Sequence, residues 1–405
     1  MVIIKAQGGL GNQMFQYALY RVLELKQDNI KMDINSTTLN LHTGFELERV
    51  FNLKINYSSY SESFRMINDK YINELKNGWA YNYESDVMEI DDGYLDGYWQ
   101  HEEYFKSIRH ELLKKYKFNN VSGIEVENMI YNIENNESVS IHIRRGDYTN
   151  SSIYDNVATL EYYEEAIKII KSKVVNPVFF IFSDDIEWVE KNIKINKSYI
   201  INFNTGLDSY KDMFLMSRCK HNIIANSTFS WWGAWLNTNL NKIVVRPEKF
   251  TNIEIDGSTI CDVKGWIKCG SKTEKEKIAI DDSKFDYLEE AKYSFLNDLF
   301  IKGKYDVIKK LYESTNKYLI YFNFRINIIE NNYRKVTEEY IRFLELIDNK
   351  LDYNLFTSVL FHYGRYMFEC KKYDEAEKSF FKLNYITNGT HLKAKEYINL
   401  IKDNK

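Results

Sequence analysis

The sequence predicts an α/β protein of two Rossmann-like halves followed by an all-α module, on three observations. Strand-like and helix-like segments alternate from Val2 to about residue 268. A glycine-rich turn, Gly8-Gly9-Leu10-Gly11, joins the first strand to the first helix. Past about residue 270 the alternation stops, and almost everything after Asp286 reads as helix. The expected divisions are 1–130 and 131–270 for the two halves and 271–405 for the helical module.

In the first half, residues 2 to 6 read as a buried strand. The helix that follows runs to about Gln27, with Met14, Ala18, Val22 and Leu25 on its i, i+4 face. Gly9-x-Gly11-x-x-Met14 lacks the third glycine of a dinucleotide fingerprint, and no Gly-Lys-Ser/Thr follows to make a phosphate loop. What remains is a turn in which Gly9 and Gly11 let Asn12 and Gln13 face a ligand at a helix N-terminus, or a purely structural tight turn. Ile30–Ile34 reads as a second strand, and 35–100 as mixed turns and helices. The aromatic run Tyr94, Tyr98 and Trp99 suits either a sugar face or a core. Glu102–Lys117 reads as an amphipathic helix, and the polar segment 120–137 as the crossover between the halves.

The second half centres on Val139-Ser-Ile-His-Ile-Arg-Arg-Gly-Asp-Tyr148. Val139, Ile141 and Ile143 alternate with Ser140 and His142, which makes a buried strand that stops where Arg144 and Arg145 begin. Ligands of open α/β sheets bind at the carboxyl ends of strands, and two adjacent guanidiniums there ask for a dianion such as a diphosphate. The competing reading is a surface arginine pair bound to Asp147. A second strand, Val178–Phe182, ends in Ser183-Asp184-Asp185. Helices are expected at Leu160–Lys173, Ile186–Lys191 and near Ser209–Cys219, with a strand at Tyr199–Phe203. Asn226, Ser227, Thr228 and Ser230 then crowd a strand-to-helix turn before a Trp-rich helix, as a phosphate site or as an N-cap cluster.

Composition narrows the class. A net charge of −4 gives no nucleic-acid footprint, and with two prolines the chain has no Pro-rich linker. The four cysteines lack metal-binding or disulfide-framework spacing, which fits a reducing compartment. The N-terminus runs straight into a strand without an apolar leader, so a cytoplasmic protein, or one peripheral at the inner face of the membrane, is expected. In the tail, Gly303-Lys-Tyr-Asp306 and Lys371-Lys-Tyr-Asp374 resemble each other at 373 − 305 = 68 positions, with a degenerate middle copy expected near Tyr333–Phe343. That spacing is about twice a tetratricopeptide period, so a helical repeat module for a protein partner or self-association is expected.

The three segments Gly-Gly-Leu-Gly-Asn-Gln13, His142-Ile-Arg-Arg-Gly-Asp-Tyr and Asn226-Ser-Thr-Phe-Ser-Trp-Trp-Gly-Ala-Trp together resemble glycosyltransferase family 11, the α-1,2-fucosyltransferases. Phe45-Glu46-Leu47, Gly97-Tyr98-Trp99-Gln100 and Phe182-Ser-Asp-Asp185 are similar to its lesser motifs. The resemblance covers about residues 1–268 and leaves out the helical tail. It implies a GT-B-type pair of domains, the first on the acceptor side and the second binding the donor. It also implies inverting transfer of L-fucose from GDP-β-L-fucose to a sugar hydroxyl, the O2 of a galactoside in an oligosaccharide or lipid-linked glycan, with no metal or other cofactor. On that resemblance Arg144, Asn12 and Asp147 are the catalytic positions. Gly9, Gly11, Gln13, His142, Arg145, Asp184, Asn226, Ser227, Thr228 and Ser230 are the donor-binding ones. Asp147, Glu46 and His142 are candidates for the group that takes the acceptor's proton. Two other readings compete: a glycoside hydrolase with paired carboxylates, which leaves the arginines unexplained, and a catalytically silent nucleotide-sugar or glycan-binding protein with an interaction tail.

Overall fold

The computed structural model describes residues 1–35, 43–77, 82–253, 260–270, 286–311, 316–347, 352–387 and 389–404. Residues Met1–Leu288 form one compact unit and Glu289–Lys405 another. The charged segment 271–277 lies outside the described residues.

The first unit opens with Val2–Lys5 (β1), Leu10–Lys26 (α1), Ile30–Asp33 (β2), Leu47–Phe51 (α2), Tyr60–Asp69 (α3), Tyr71–Asn73 (β3) and Gly93–Asp96 (β4). These strands make a four-stranded parallel sheet in the order β2-β1-β4-β3. Val2, Ile3 and Ile4 are wholly buried, as a parallel strand covered on both faces requires. Sequence periodicity missed β3 and β4, which are only three and four residues long. The expected aromatic face at Tyr94 and Trp99 is core, and only Tyr98 of that run is exposed.

The Glu102–Lys117 helix is broken into short turns before Arg109–Lys115 (α4). The expected crossover holds a helix, Ile124–Glu134 (α5), whose Val126 and Ile133 pack with Phe180 and Phe182 of the second sheet and with Met216 of the helix Tyr210–Arg218. Only Val126 and Ile133 are fully buried, with Met129 and Ile130 half-buried beside them among asparagines and glutamates, so composition hid the helix. Residue 130, the expected division, falls inside this helix.

The second sheet contains Glu137–Ile143 (β5), Pro177–Ser183 (β6), Ser198–Ile201 (β7), His221–Ile223 (β8), Val244–Pro247 (β9) and Ile267–Cys269 (β10). Its helices are Leu160–Lys173 (α6), Ile186–Asn192 (α7), Tyr210–Arg218 (α8) and Thr228–Leu236 (α9). All strands are parallel in the order β10-β9-β8-β5-β6-β7. The chain grows outward from β5 in one direction and then from β8 in the other. The crevice beside β5 and β8 is therefore a topological switch point. The first sheet has its own switch between β1 and β4.

An aromatic core joins the two sheets. Phe15 of α1 lies 4.6 Å from Trp231 and 4.9 Å from Trp232 of α9. Each of the three indole N–H groups of α9 has an acceptor: Trp231 donates to the Cys261 carbonyl, Trp232 to that of Gly11 and Trp235 to the Glu102 carboxylate.

The second unit is helical: Tyr287–Ile301 (α10), Tyr305–Lys310 (α11), Lys317–Ile329 (α12), Tyr333–Leu346 (α13), Tyr353–Glu369 (α14), Tyr373–Ile386 (α15) and Leu392–Asn404 (α16). The same left-handed turn joins α10 to α11, α12 to α13 and α14 to α15, at Gly303 (φ 67°), Asn331 (φ 54°) and Lys371 (φ 59°). In each, the next residue's N–H reaches back five positions, from Lys304 to Leu299, Asn332 to Asn327 and Lys372 to Met367. The repeat read from Tyr305 and Tyr373 is thus three helical hairpins, and the degenerate middle copy is α13.

Candidate active site

The carboxyl end of β5 delivers Arg144 and Arg145, and carboxylates fix both. Arg144 pairs with Asp147 at 2.7 Å and Asp184 at 3.1 Å. Arg145 pairs with Asp185 at 3.0 Å and lies over the Trp188 ring, 4.4 Å from its centroid. Asp184, at the end of β6, also accepts the backbone N–H of Arg145 at 2.9 Å and of Gly146 at 3.2 Å. A Cβ on Gly146 would stand 2.8 Å from that carboxylate, which is why a glycine follows the arginines. Both side chains remain about a third exposed, at 32% and 33%. Ion pairs this wet contribute at most about 1 kcal/mol each, so their main effect is to aim the guanidiniums. Each guanidinium has five N–H donors, more than these carboxylates consume.

A cavity of about 380 Å³ opens beside them, lined in part by Arg144, Arg145, Tyr148, Tyr154, Trp188 and Asn226. Tyr148 lies under the Arg144 guanidinium at 5.5 Å and stacks on Tyr154 at 4.7 Å. Tyr148 also approaches the Ser227 side chain, which brings the arginine turn beside the start of α9. There Ser227 is the N-cap, accepting the N–H of Phe229 at 3.3 Å. His142 is buried against Phe229, with its Nδ1 unpartnered among the described residues. Burial, aided by Arg144 and opposed by Asp184, pushes its pKa down to about 4, so the ring is neutral.

The first sheet's switch point meets this surface. A Cβ on Gly11 would be 2.6 Å from Thr228 Oγ1 and 2.7 Å from its backbone carbon, so the helix starts of α1 and α9 touch only because residue 11 is glycine. Asn12 Oδ1 accepts from Thr228 Oγ1 and from Gln100 Nε2, both at 2.9 Å. Turns after β1, β4 and β8 therefore converge on one amide. Among the described residues its Nδ2 has no acceptor and is left to offer.

Not every expected residue faces the crevice. Gln13 is wholly buried, and its amide donates to Gly8 and Gly44 and accepts from Glu46, so it braces the turn. Ser230 bonds the Ser227 carbonyl inside α9, and the Asn226 amide, although it lines the cavity, is spent on the Tyr154 and Phe250 carbonyls. Gly9 is the N-cap of α1. Glu46 is buried and bound to Arg49 at 2.6 Å. Gln100, Tyr148 and Tyr154 join the constellation without having been singled out for a role. Gln100 and Tyr148 lie in motifs already noted, whereas Tyr154 sits in an irregular polar loop that carries no periodic signal.

A sequence model of glycosyl transferase family 11 matches residues 1–267. The chain is 35% identical over 283 residues to an O-antigen biosynthesis glycosyltransferase, WbnK, of Escherichia coli, covering 60% of this chain and 92% of that protein. It is 32% identical over 289 residues to an alpha-1,2-colitosyltransferase of Escherichia coli, covering 66% of this chain and 98% of that one. It is 25% identical over 245 residues to the galactoside alpha-(1,2)-fucosyltransferase 2 of Pongo pygmaeus, covering 58% of this chain and 68% of that one. Among the described residues no helix is long and apolar enough to cross a membrane.

Proposed function

This chain belongs to glycosyl transferase family 11, and we propose that it transfers L-fucose, with inversion, from GDP-β-L-fucose to a galactoside O2 on a glycan acceptor. The observation that carries the reading is the pinned arginine pair at the β5/β8 switch point, beside a cavity and a helix start. Cleaving the sugar–phosphate bond leaves charge on the departing diphosphate. Cations already aimed at that position stabilise the transition state more than the ground state. Arg144 supplies that charge in place of a metal. Arg145, Ser227 and the free N–H groups at the start of α9 hold the rest of the diphosphate.

The acceptor hydroxyl enters from the side of Asn12, whose amide orients it. Neutral His142 and Asp147 stand at the arginine turn as candidates to take the proton, and Glu46, bound to Arg49, is withdrawn from that role. We assign the three helical hairpins to partner binding or self-association, since stacked hairpins present long surfaces.

A colitosyl donor is the second reading, favoured by the relative that carries that name. Colitose is fucose without its 3-hydroxyl, so the two donors differ by one hydrogen-bonding group. The test is full-length protein in EDTA with GDP-fucose or GDP-colitose and a galactose-terminated disaccharide, followed by product mass and linkage. Fucosyl product with an α-1,2 bond supports the proposal, and a clear preference for GDP-colitose replaces the donor. Binding of GDP with no transfer to any acceptor moves the chain to the binding-protein reading.

A further inference from the structure

Glu74, directly after β3, is 6% exposed, and no cation pairs with it among the described residues. Its carboxylate accepts the backbone N–H of Tyr98 at 2.6 Å and of Trp99 at 3.1 Å. A Cβ on Gly97 would lie 2.6 Å from the Glu74 Cβ, so the turn after β4 is moulded onto this side chain. Trp99 sits in the left-handed region at φ 56°, a conformation that non-glycine residues hold only when their surroundings impose it. The other side of the turn is held by Gln7 and Gln16, each donating to the Gly97 carbonyl at 3.2 Å. From this turn Gln100 donates to Asn12 Oδ1, and the Tyr98 side chain stands exposed.

A buried carboxylate without a counter-ion is a costly way to pack a sheet. An amide in its place offers one acceptor oxygen and turns its NH2 toward the second N–H. Only a carboxylate accepts both. We propose that Glu74 is a positioning residue for the acceptor: it sets the Gly97–Gln100 turn, and through it Tyr98, Gln100 and the Asn12 amide. The proposal rests on the transferase reading for its kinetic consequence and on the hydrogen bonds alone for its structural one.

Burial, opposed by the two N–H bonds and reinforced by Asp96, pushes the Glu74 pKa up to about 7. The charged or titratable groups around it are Asp96 of β4, bound to Lys5 of β1 and Tyr71 of β3, together with Tyr98 and Tyr104. Protonation of Glu74 removes one of its two acceptors, so the turn tightens as pH rises through about 7. Asp212, in the first turn of α8 beside Asn204, also titrates near 7 and serves as the control.

The experiment uses full-length wild type, Glu74→Gln and Asp212→Asn between pH 5.5 and 8.5. Hydrogen exchange of the Tyr98 and Trp99 amides in wild type is expected to show protection roughly tenfold lower at pH 5.5 than at pH 8, the scale of one charge-assisted hydrogen bond. Acceptor KM should fall over the same range, and Asp212→Asn should keep both trends. Glu74→Gln should raise acceptor KM roughly tenfold at pH 8, flatten its pH dependence and leave GDP affinity unchanged. Protection independent of pH in wild type overturns the proposal even if the protein transfers no sugar. So does a Glu74→Gln enzyme whose acceptor KM still follows pH, or one that loses GDP affinity equally.

Discussion

The two switch points that meet in this unit present opposite chemistries. Beyond β5 and β8 stand permanent cations, held by three carboxylates and about a third exposed. Beyond β1 and β4 stand amides and glycines: Gln7, Gln13 and Gln16 are buried and spend their hydrogen bonds on the backbone around them, Gln7 also on the Asp96 carboxylate. One surface keeps charge ready for a ligand, and the other keeps geometry. If that division holds, Arg144→Ala should lower kcat by about 10²–10³, the loss that follows removal of a preorganised charge from a transition state. Asn12→Ala should cost only about tenfold in kcat/KM, the value of one hydrogen bond. Equal losses, read from initial rates at saturating donor, would break the comparison.

The two surfaces also answer pH in opposite directions. His142, on the charged side, has its pKa pushed down to about 4 by burial. The native state holds the ring neutral, while the unfolded chain protonates it near 6.5. Its contribution is therefore fully present above 6.5 and is lost as pH falls toward 4, on the order of 3 kcal/mol in all. Glu74, raised to about 7, has the reverse effect: the native state prefers the protonated acid, so stability falls as pH rises from the ordinary glutamate range to 7. Urea midpoints of wild type and His142→Phe between pH 4 and 8 separate the two. The substitution should remove most of the acid-side decline and leave the neutral-side one; an unchanged acid limb would place the titrating group elsewhere.

How much of this was legible in the sequence follows the same division. β5, β6 and α6 are long and periodic, so their bounds were readable to within one or two residues, and with them the place of Arg144, whereas α1 begins at Leu10, inside the segment read as a turn through Gln13. The short strands Tyr71–Asn73 and Gly93–Asp96 were not, because three or four residues carry no period. Their absence from the reading hid the second switch point, and with it the partners of Asn12. Charged site residues announced themselves by type, since adjacent arginines at a strand end have few structural uses. The glycine turn with Asn12 and Gln13 was also legible, but the bracing roles of Gln13, Gln7 and Gln16 were not, because such glutamines look like ordinary polar positions until their bonds are seen. The repeat in the tail was readable from two tyrosine turns, although the turn geometry that makes it a repeat lies in φ at Gly303, Asn331 and Lys371.

Glycine tests the comparison at its finest grain, because each surface contains one that admits no side chain. At Gly146 the obstacle is a carboxylate oxygen of Asp184, 2.8 Å from the added carbon, at the end of a side chain that can swing. At Gly11 the obstacles are the Thr228 hydroxyl at 2.6 Å, its backbone carbon at 2.7 Å and the Phe229 nitrogen at 2.8 Å. Backbone cannot rotate away, so an alanine there must push α1 from α9 and disturb the aromatic core between them. Gly11→Ala should therefore cost about 1–3 kcal/mol of stability, the usual range for overpacking. Gly146→Ala should cost less in urea but more in GDP affinity, since moving Asp184 frees both the Arg144 guanidinium and the two N–H groups it holds. A Gly146 variant with the lower urea midpoint, or a Gly11 variant with the weaker GDP binding, would mean that charge and geometry are not divided between the two switch points as the contacts indicate.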